Sequence, residues 1–144
     1  MKIDIINYSD LSKDQLFELI KLRINVFVVE QNCPYQELDN FDLISNHVIG
    51  SNNNQIVALG RLYKKEDSIH IGRIAVKKEF RNLGYARELM QFILNFLKLN
   101  YPTLGIELSA QEYLLKFYIS LGFSTIGEME LEDGIPHVKM VDFS

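Results

Sequence analysis

The sequence predicts one mixed α/β domain over residues 1–144, in which a mostly antiparallel sheet carries helices on both faces. Three features carry that expectation. Three strand-like runs follow one another through the middle of the chain, joined by short polar turns, as in an antiparallel meander. A strand–helix–strand crossover comes next, and the chain closes on a hairpin across Asp133-Gly134.

In order, Lys2 to Asn7 reads as the first strand. Ser12-Lys13-Asp14-Gln15 has the form of a capping box, with Leu11 and Leu16 placed as a hydrophobic staple. Leu16, Leu19, Ile20, Arg23 and Phe27 continue at helical spacing, and Pro34 ends that helix. An acidic loop follows through Glu37, Asp39 and Asp42. His47 to Ser51, Gln55 to Tyr63 and Ser68 to Val76 are the three meander strands. From Gly84 the pattern turns helical, with Ala86, Leu89, Met90, Ile93, Leu94 and Leu97 on one face, until Pro102. Leu104 to Ser109 is a short strand, Gln111 to Leu121 a helix with Gly122 as its C-cap, and Phe123 to Leu131 pairs with Val138 to Val141.

Composition narrows the function. The chain is 47% hydrophobic, with 9 Phe and 7 Tyr, enough for a core that needs no metal or disulfide. A net charge of -4 argues against nucleic acid, which demands a basic face, and suits a cationic substrate. The single Cys33 excludes an internal disulfide and a cysteine-based zinc cluster, and a structural thiol is the favoured reading over an acetyl carrier. The three His are too scattered to suggest a metal site. His47 and His70 lie in strand patterns and read as ordinary half-buried residues. No signal peptide and no membrane-length apolar run are evident, so a cytoplasmic protein without membrane contact is expected.

The segment from Ile74 to Arg87 carries the most chemistry. An apolar strand, Ile74-Ala75-Val76, runs through a basic turn into a long amphipathic helix. A helix start offers unpaired N–H groups and the positive end of the dipole, which together make an anion site. Gly84 permits backbone geometry and close approach, Ala86 keeps the next position small, and Lys77, Lys78, Arg81 and Arg87 surround the turn with positive charge. No Gly-Lys-Ser/Thr follows and no Gly-x-Gly-x-x-Gly is present, so this is neither a P-loop nor a Rossmann loop.

Arg81-Asn82-Leu83-Gly84-Tyr85-Ala86 resembles the Arg/Gln-x-x-Gly-x-Gly/Ala signature of the GNAT superfamily of N-acetyltransferases, with Ala86 where many members carry glycine. The element order is similar to the GNAT fold from end to end. Val26 to Gln36, Ser109-Ala110-Gln111 with Phe117-Tyr118, and Glu132 to His137 are similar to the ElaA-like branch. The resemblance implies that the amides of the turn from Arg81 through Asn82, Leu83, Gly84, Tyr85 and Ala86 to Arg87 hold the pyrophosphate of acetyl-CoA. It also implies that backbone N–H groups of Ile74, Ala75 and Val76 polarise the thioester carbonyl, and that Tyr118, in the run Phe117 to Phe123, meets the leaving sulfur. Gln111 is a candidate contact to the pantetheine arm.

Acyl transfer also needs a neutral amine. With Tyr near ~10 and a thiol near ~8.5, Tyr118 is expected to act first as a hydrogen-bond donor. The base stays open between His137, Glu37 and water. His137 reads equally as a base or as a structural histidine beside a turn, and Glu37 as an ammonium ligand or, with Glu30, Asp39 and Asp42, as part of a solvated acidic loop. The expected function is transfer of acetyl from acetyl-CoA to a small, cationic primary amine by a monomer or homodimer, with no metal. The alternative is a non-catalytic acyl-CoA-binding or interaction domain.

Overall fold

The computed structural model describes residues 1–142. Its elements are β1 (Lys2–Asn7), α1 (Lys13–Ile24), β2 (Asn46–Asn52), β3 (Gln55–Lys65), β4 (Ser68–Val76), α2 (Tyr85–Asn100), β5 (Gly105–Gln111), α3 (Leu115–Ser120), β6 (Ser124–Glu132) and β7 (Ile135–Asp142). The strands form one sheet in the order β1-β2-β3-β4-β5-β7-β6. β4 and β5 are parallel, and the other pairs described are antiparallel.

Local chemistry explains the boundaries. Ser12 Oγ accepts the Gln15 N–H at 3.0 Å while Gln15 Oε1 accepts the Ser12 N–H at 2.9 Å, so the expected capping box starts α1. α1 then runs into a π-helical segment, Asn25–Glu30. The β6–β7 turn has Asp133 at φ 52° and Gly134 at φ 79°, the paired left-handed residues that a two-residue hairpin requires.

The helix read as Gln111 to Leu121 is shorter in the structure. Gln111 ends β5, a 3-10 turn occupies Glu112–Leu114, and only Leu115–Ser120 is α-helical. Helical periodicity cannot separate a 3-10 turn from the α-helix it leads into.

Helices cover both faces. Leu19, Leu22 and Val26 pack on Ile49, Leu59 and Ala75 on one side. Leu89, Met90, Ile93, Leu94 and Leu97 of α2 pack with Val48, Leu62, Ile69 and Ile71 on the other, where α3 adds Tyr118. No helix among the described residues is long and apolar enough to cross a membrane.

One irregularity shapes the site. β4 pairs with β5 only over Ser68–Ile71 against Gly105–Leu108. Beyond that, β5 continues along β7 as far as Gln111 opposite His137, while β4 stays with β3 as far as Val76. Where the strands part, Arg73 adopts φ 52° and the β3–β4 register slips, the marks of a bulge. The sheet therefore opens into a V. Backbone groups of β4 on that side lose their strand partner.

Candidate active site

The loop after β4 retains the features of an anion cradle. Lys77 N–H bonds the Val57 carbonyl at 2.8 Å, which fixes the direction in which the chain leaves the sheet. Asn82 at φ 64° and Gly84 at φ 81° are left-handed, a region that most side chains reach at a cost of roughly 1–2 kcal/mol. Among the described residues, none accepts the backbone N–H groups of 82 to 87. A Cβ on Gly84 would meet no atom within 4 Å, so open space lies over these amides. Bare donors at the start of a 16-residue helix, with room above them, fit a diphosphate.

The arginines of the turn are engaged by the protein itself. Arg81 donates from Nε to the Val76 carbonyl at 3.0 Å, and its Nη2 lies 2.7 Å from Glu30, tying the loop to the end of the first helical segment. Arg87 donates to Ser120 Oγ at 2.9 Å and sits 5.2 Å over the Phe117 ring, bracing α2 against α3. These contacts give both arginines a bracing role, while the backbone amides of the turn keep no partner among the described residues.

The V opens onto a cavity of about 350 Å³ lined by Ile74, Gln111, Tyr118 and His137, among others. Tyr118 is held there by the end of its own helix. Phe123 N–H bonds the Tyr118 carbonyl at 3.2 Å and Gly122 N–H bonds the Ile119 carbonyl at 3.0 Å, with Gly122 at φ 103°. That is a Schellman motif, and its usual apolar contact is the edge-on packing of Phe123 on Tyr118 at 6.0 Å. The Gly122-Phe123 dipeptide thus fixes the tyrosine ring. The hydroxyl makes no hydrogen bond to a described residue, and burial, helped by Tyr113, pushes its pKa up to about 12.

His137 donates from Nδ1 to the Ile135 carbonyl at 2.7 Å, with Glu132 3.5 Å from the same nitrogen. A carbonyl only accepts, so Nδ1 carries a proton and Nε2 is the nitrogen that faces away with the lone pair of the neutral tautomer. Glu132 also accepts a hydrogen bond from Ser109 Oγ. Gln111 Nε2 lies 3.4 Å from Gln31 Oε1 on the cavity wall. Cys33 is 8% exposed, and its thiol faces the Asp133 carbonyl at 3.4 Å, joining the loop after the first helix to the hairpin turn.

The acidic loop is not a solvated one. Glu37 and Asp42 are 4% and 3% exposed. Arg23 grips Glu37 through Nε at 2.7 Å and Asp42 through Nη1 at 2.6 Å. Arg61 reaches Asp39 at 2.7 Å and Asp42 at 3.1 Å, and Arg73 reaches Glu37 at 3.1 Å. Three guanidinium groups and three carboxylates therefore neutralise one another. This corrects the expectation for Glu37, because a carboxylate buried between two arginines has no free face for a substrate ammonium. Burial alone would raise the Asp42 carboxyl, but the Arg23 hydrogen bond and charge hold it down to about 2. His47 is 1% exposed rather than half-buried and packs against the same network, its Nε2 3.0 Å from the Asp42 carbonyl.

Sequence reasoning missed the residues that complete the cavity. His70, read as an ordinary strand histidine, lines it beside Arg73, whose guanidinium lies 5.7 Å over Tyr35. His70, Leu108, Ser109, Glu132 and His137 also border an outer groove of about 610 Å³, so they form the boundary shared by the two spaces. No local pattern marks His70 or Leu108, because their place on the cavity is set by the pairing of β4 with β5.

Comparison with known proteins places the sequence and fold in one family. The sequence model of the acetyltransferase (GNAT) domain matches residues 9–141. The chain is 40% identical to the protein ElaA of Escherichia coli (strain K12) over 140 residues, covering 94% of this chain and 92% of that protein. The crystal structure of Escherichia coli ElaA superposes with a TM-score of 0.93 at 38% identity over 99% of both chains. That of an acyl-CoA N-acyltransferase from Pseudomonas aeruginosa gives 0.93 at 34% identity over 98% of both.

Proposed function

The chain belongs to the GNAT acetyltransferase family, and on that footing we propose that it transfers an acetyl group from acetyl-CoA to a primary amine, both substrates bound together. The observation that carries this reading is the V between β4 and β5, whose cavity is lined by Tyr118 and whose strand β4 leads into the unpaired amides of the Gly84 turn. Bound acetyl-CoA would supply an activated thioester carbonyl.

The chain's own groups divide the work. Amides of 82 to 87 hold the diphosphate. β4 backbone N–H groups freed by the split face the carbonyl oxygen, where negative charge develops. Tyr118 donates a hydrogen bond to the departing sulfur. His137, with its Nε2 lone pair, accepts a proton from the amine.

A small cationic acceptor remains the proposed class, on different grounds from the acidic loop. The outer groove carries Glu107, Glu128, Glu130 and Glu132 against Lys65 and Lys139. Calorimetry with CoA and acetyl-CoA, followed by thiol release across a panel of amines, tests the proposal. Absence of affinity for either coenzyme form overturns it, and tight binding with no thiol release on any amine favours a binding module.

A further inference from the structure

An alkylamine with a pKa near ~10 reaches a site at neutral pH as an ammonium. Its nitrogen ends with one N–H, so two protons must leave it: R–NH3+ and the acetyl thioester become R–NH–CO–CH3, a thiol and one proton released to water. The first N–H bond breaks to free the lone pair that forms the N–C bond. The C–S bond then breaks with its electrons going to sulfur, the second N–H pair stays on nitrogen, and that proton balances the thiolate. One imidazole holds one transferred proton at a time, and the cavity contains two imidazoles.

Resting on the acyltransferase reading above, we propose that His70 is a second base, taking the proton the acceptor ammonium loses before attack, while His137 takes the one lost after it. His70 borders both the cavity that contains Tyr118 and the outer groove, so an amine moving inward passes it. Its ring is stacked on Tyr63 at 5.0 Å, and Tyr63 is stacked on Phe41 at 4.4 Å, which restricts its rotation. Nδ1 lies 3.5 Å from Glu107 Oε1, and the other oxygen of that carboxylate lies 3.3 Å from Lys139 Nζ. The carboxylate therefore favours the tautomer that keeps its proton on Nδ1, and Nε2, with no partner among the described residues, is left as the acceptor. The side chain is 22% exposed, within reach of a ligand.

His70 pairs in register with Glu107, whereas His137 pairs with Gln111, four residues further along β5. That is roughly 13 Å of strand, so the two rings act at successive positions on the path. The charged and titratable groups around His70 are Arg61, Tyr63 and Lys65 on β3, Glu107 on β5 and, through Glu107, Lys139 on β7. Burial, with Arg61 and Lys65, outweighs Glu107 and lowers the imidazole pKa, which keeps the ring neutral and able to accept at neutral pH.

Long-range nitrogen–proton NMR on the full chain at pH 7.5 should find His70 neutral, with its proton on Nδ1. A charged ring, or a proton on Nε2, overturns the proposal whatever the acceptor. Thiol release is then compared for benzylamine, which arrives charged, and methoxyamine, which arrives neutral. His70→Gln should lower kcat/KM for benzylamine roughly a hundredfold, as expected for a lost base, and at least ten times more than for methoxyamine. Equal losses on both acceptors assign His70 a structural role and overturn the proposal. Glu107→Gln, a positioning change, should move the acid limb of the benzylamine profile to lower pH, and an unmoved limb counts against it. If wild-type protein neither binds acetyl-CoA nor turns over either amine, the acyltransferase reading itself falls. If wild-type turnover is intact and His70→Gln is unaffected, only the second base falls.

Discussion

Replacing Tyr118 by Phe removes one oxygen from a ring whose position depends on other contacts. The Schellman turn and the edge-on packing with Phe117 at 5.1 Å and Phe123 at 6.0 Å do not involve the hydroxyl, so the fold should survive intact. Burial holds the phenol near 12, against ~8.5 for a free thiol. Full proton transfer to a free thiolate would then run uphill by about 3.5 units, or roughly 5 kcal/mol, which favours Tyr118 as a hydrogen-bond donor over a net acid. A hydrogen bond to a charged acceptor contributes about 1.5–3 kcal/mol, so kcat should fall roughly ten- to a hundredfold. Steady-state thiol release from acetyl-CoA between pH 6 and 9 measures this, with calorimetry as the control for coenzyme affinity. The deficit should be constant across that range, because the hydroxyl remains protonated throughout. An unchanged kcat, or a deficit that disappears above pH 8, refutes the donor role.

Three further outcomes are expected. Glu37→Gln leaves Arg23 and Arg73 short of a buried counter-charge and should cost about 3–5 kcal/mol in urea unfolding, with little separate effect on acceptor KM; a raised KM with unchanged stability would return Glu37 to the substrate site. Asp42 is held down to about 2 when folded, below its free value of 3.8, so it contributes on the order of 2 kcal/mol that is fully present above pH 3.8 and lost as pH falls towards 2. Urea midpoints between pH 5 and 2.5 should trace that loss, and Asp42→Asn should flatten it. Gly84→Ala puts a side chain at φ 81° and into the space over the amides, so acetyl-CoA affinity should drop tenfold or more while the unfolding midpoint moves by only about 1 kcal/mol; unchanged affinity would separate this turn from the diphosphate.

The strand–turn–helix at Gly84 was legible because its physics is local. Val76, Gly84 and the apolar stripe of α2 are contiguous, and an unpaired helix start binds anions wherever the chain takes it. Tyr118 was legible for the same reason, since the Gly122-Phe123 cap that fixes it lies in the same short segment. The capping box at Ser12 and the turn at Asp133-Gly134 likewise depend on neighbours only.

Glu37 was misread, and the surroundings of His70, half-buried in its strand as expected, were not foreseen, because their partners are distant in sequence. A carboxylate in a polar loop looks solvated until Arg23 and Arg73, 14 and 36 residues away, close on it. A strand histidine looks inert until Glu107 faces it across a parallel pair. The sequence by itself determined the mixed fold, the backbone geometry of the turn at Gly84 and the helix end that carries Tyr118, all encoded in short-range periodicity and backbone geometry. Only the tertiary structure decided which charges are spent on one another and which imidazoles face the cavity, because Coulomb interactions and burial depend on distance in space rather than separation along the chain.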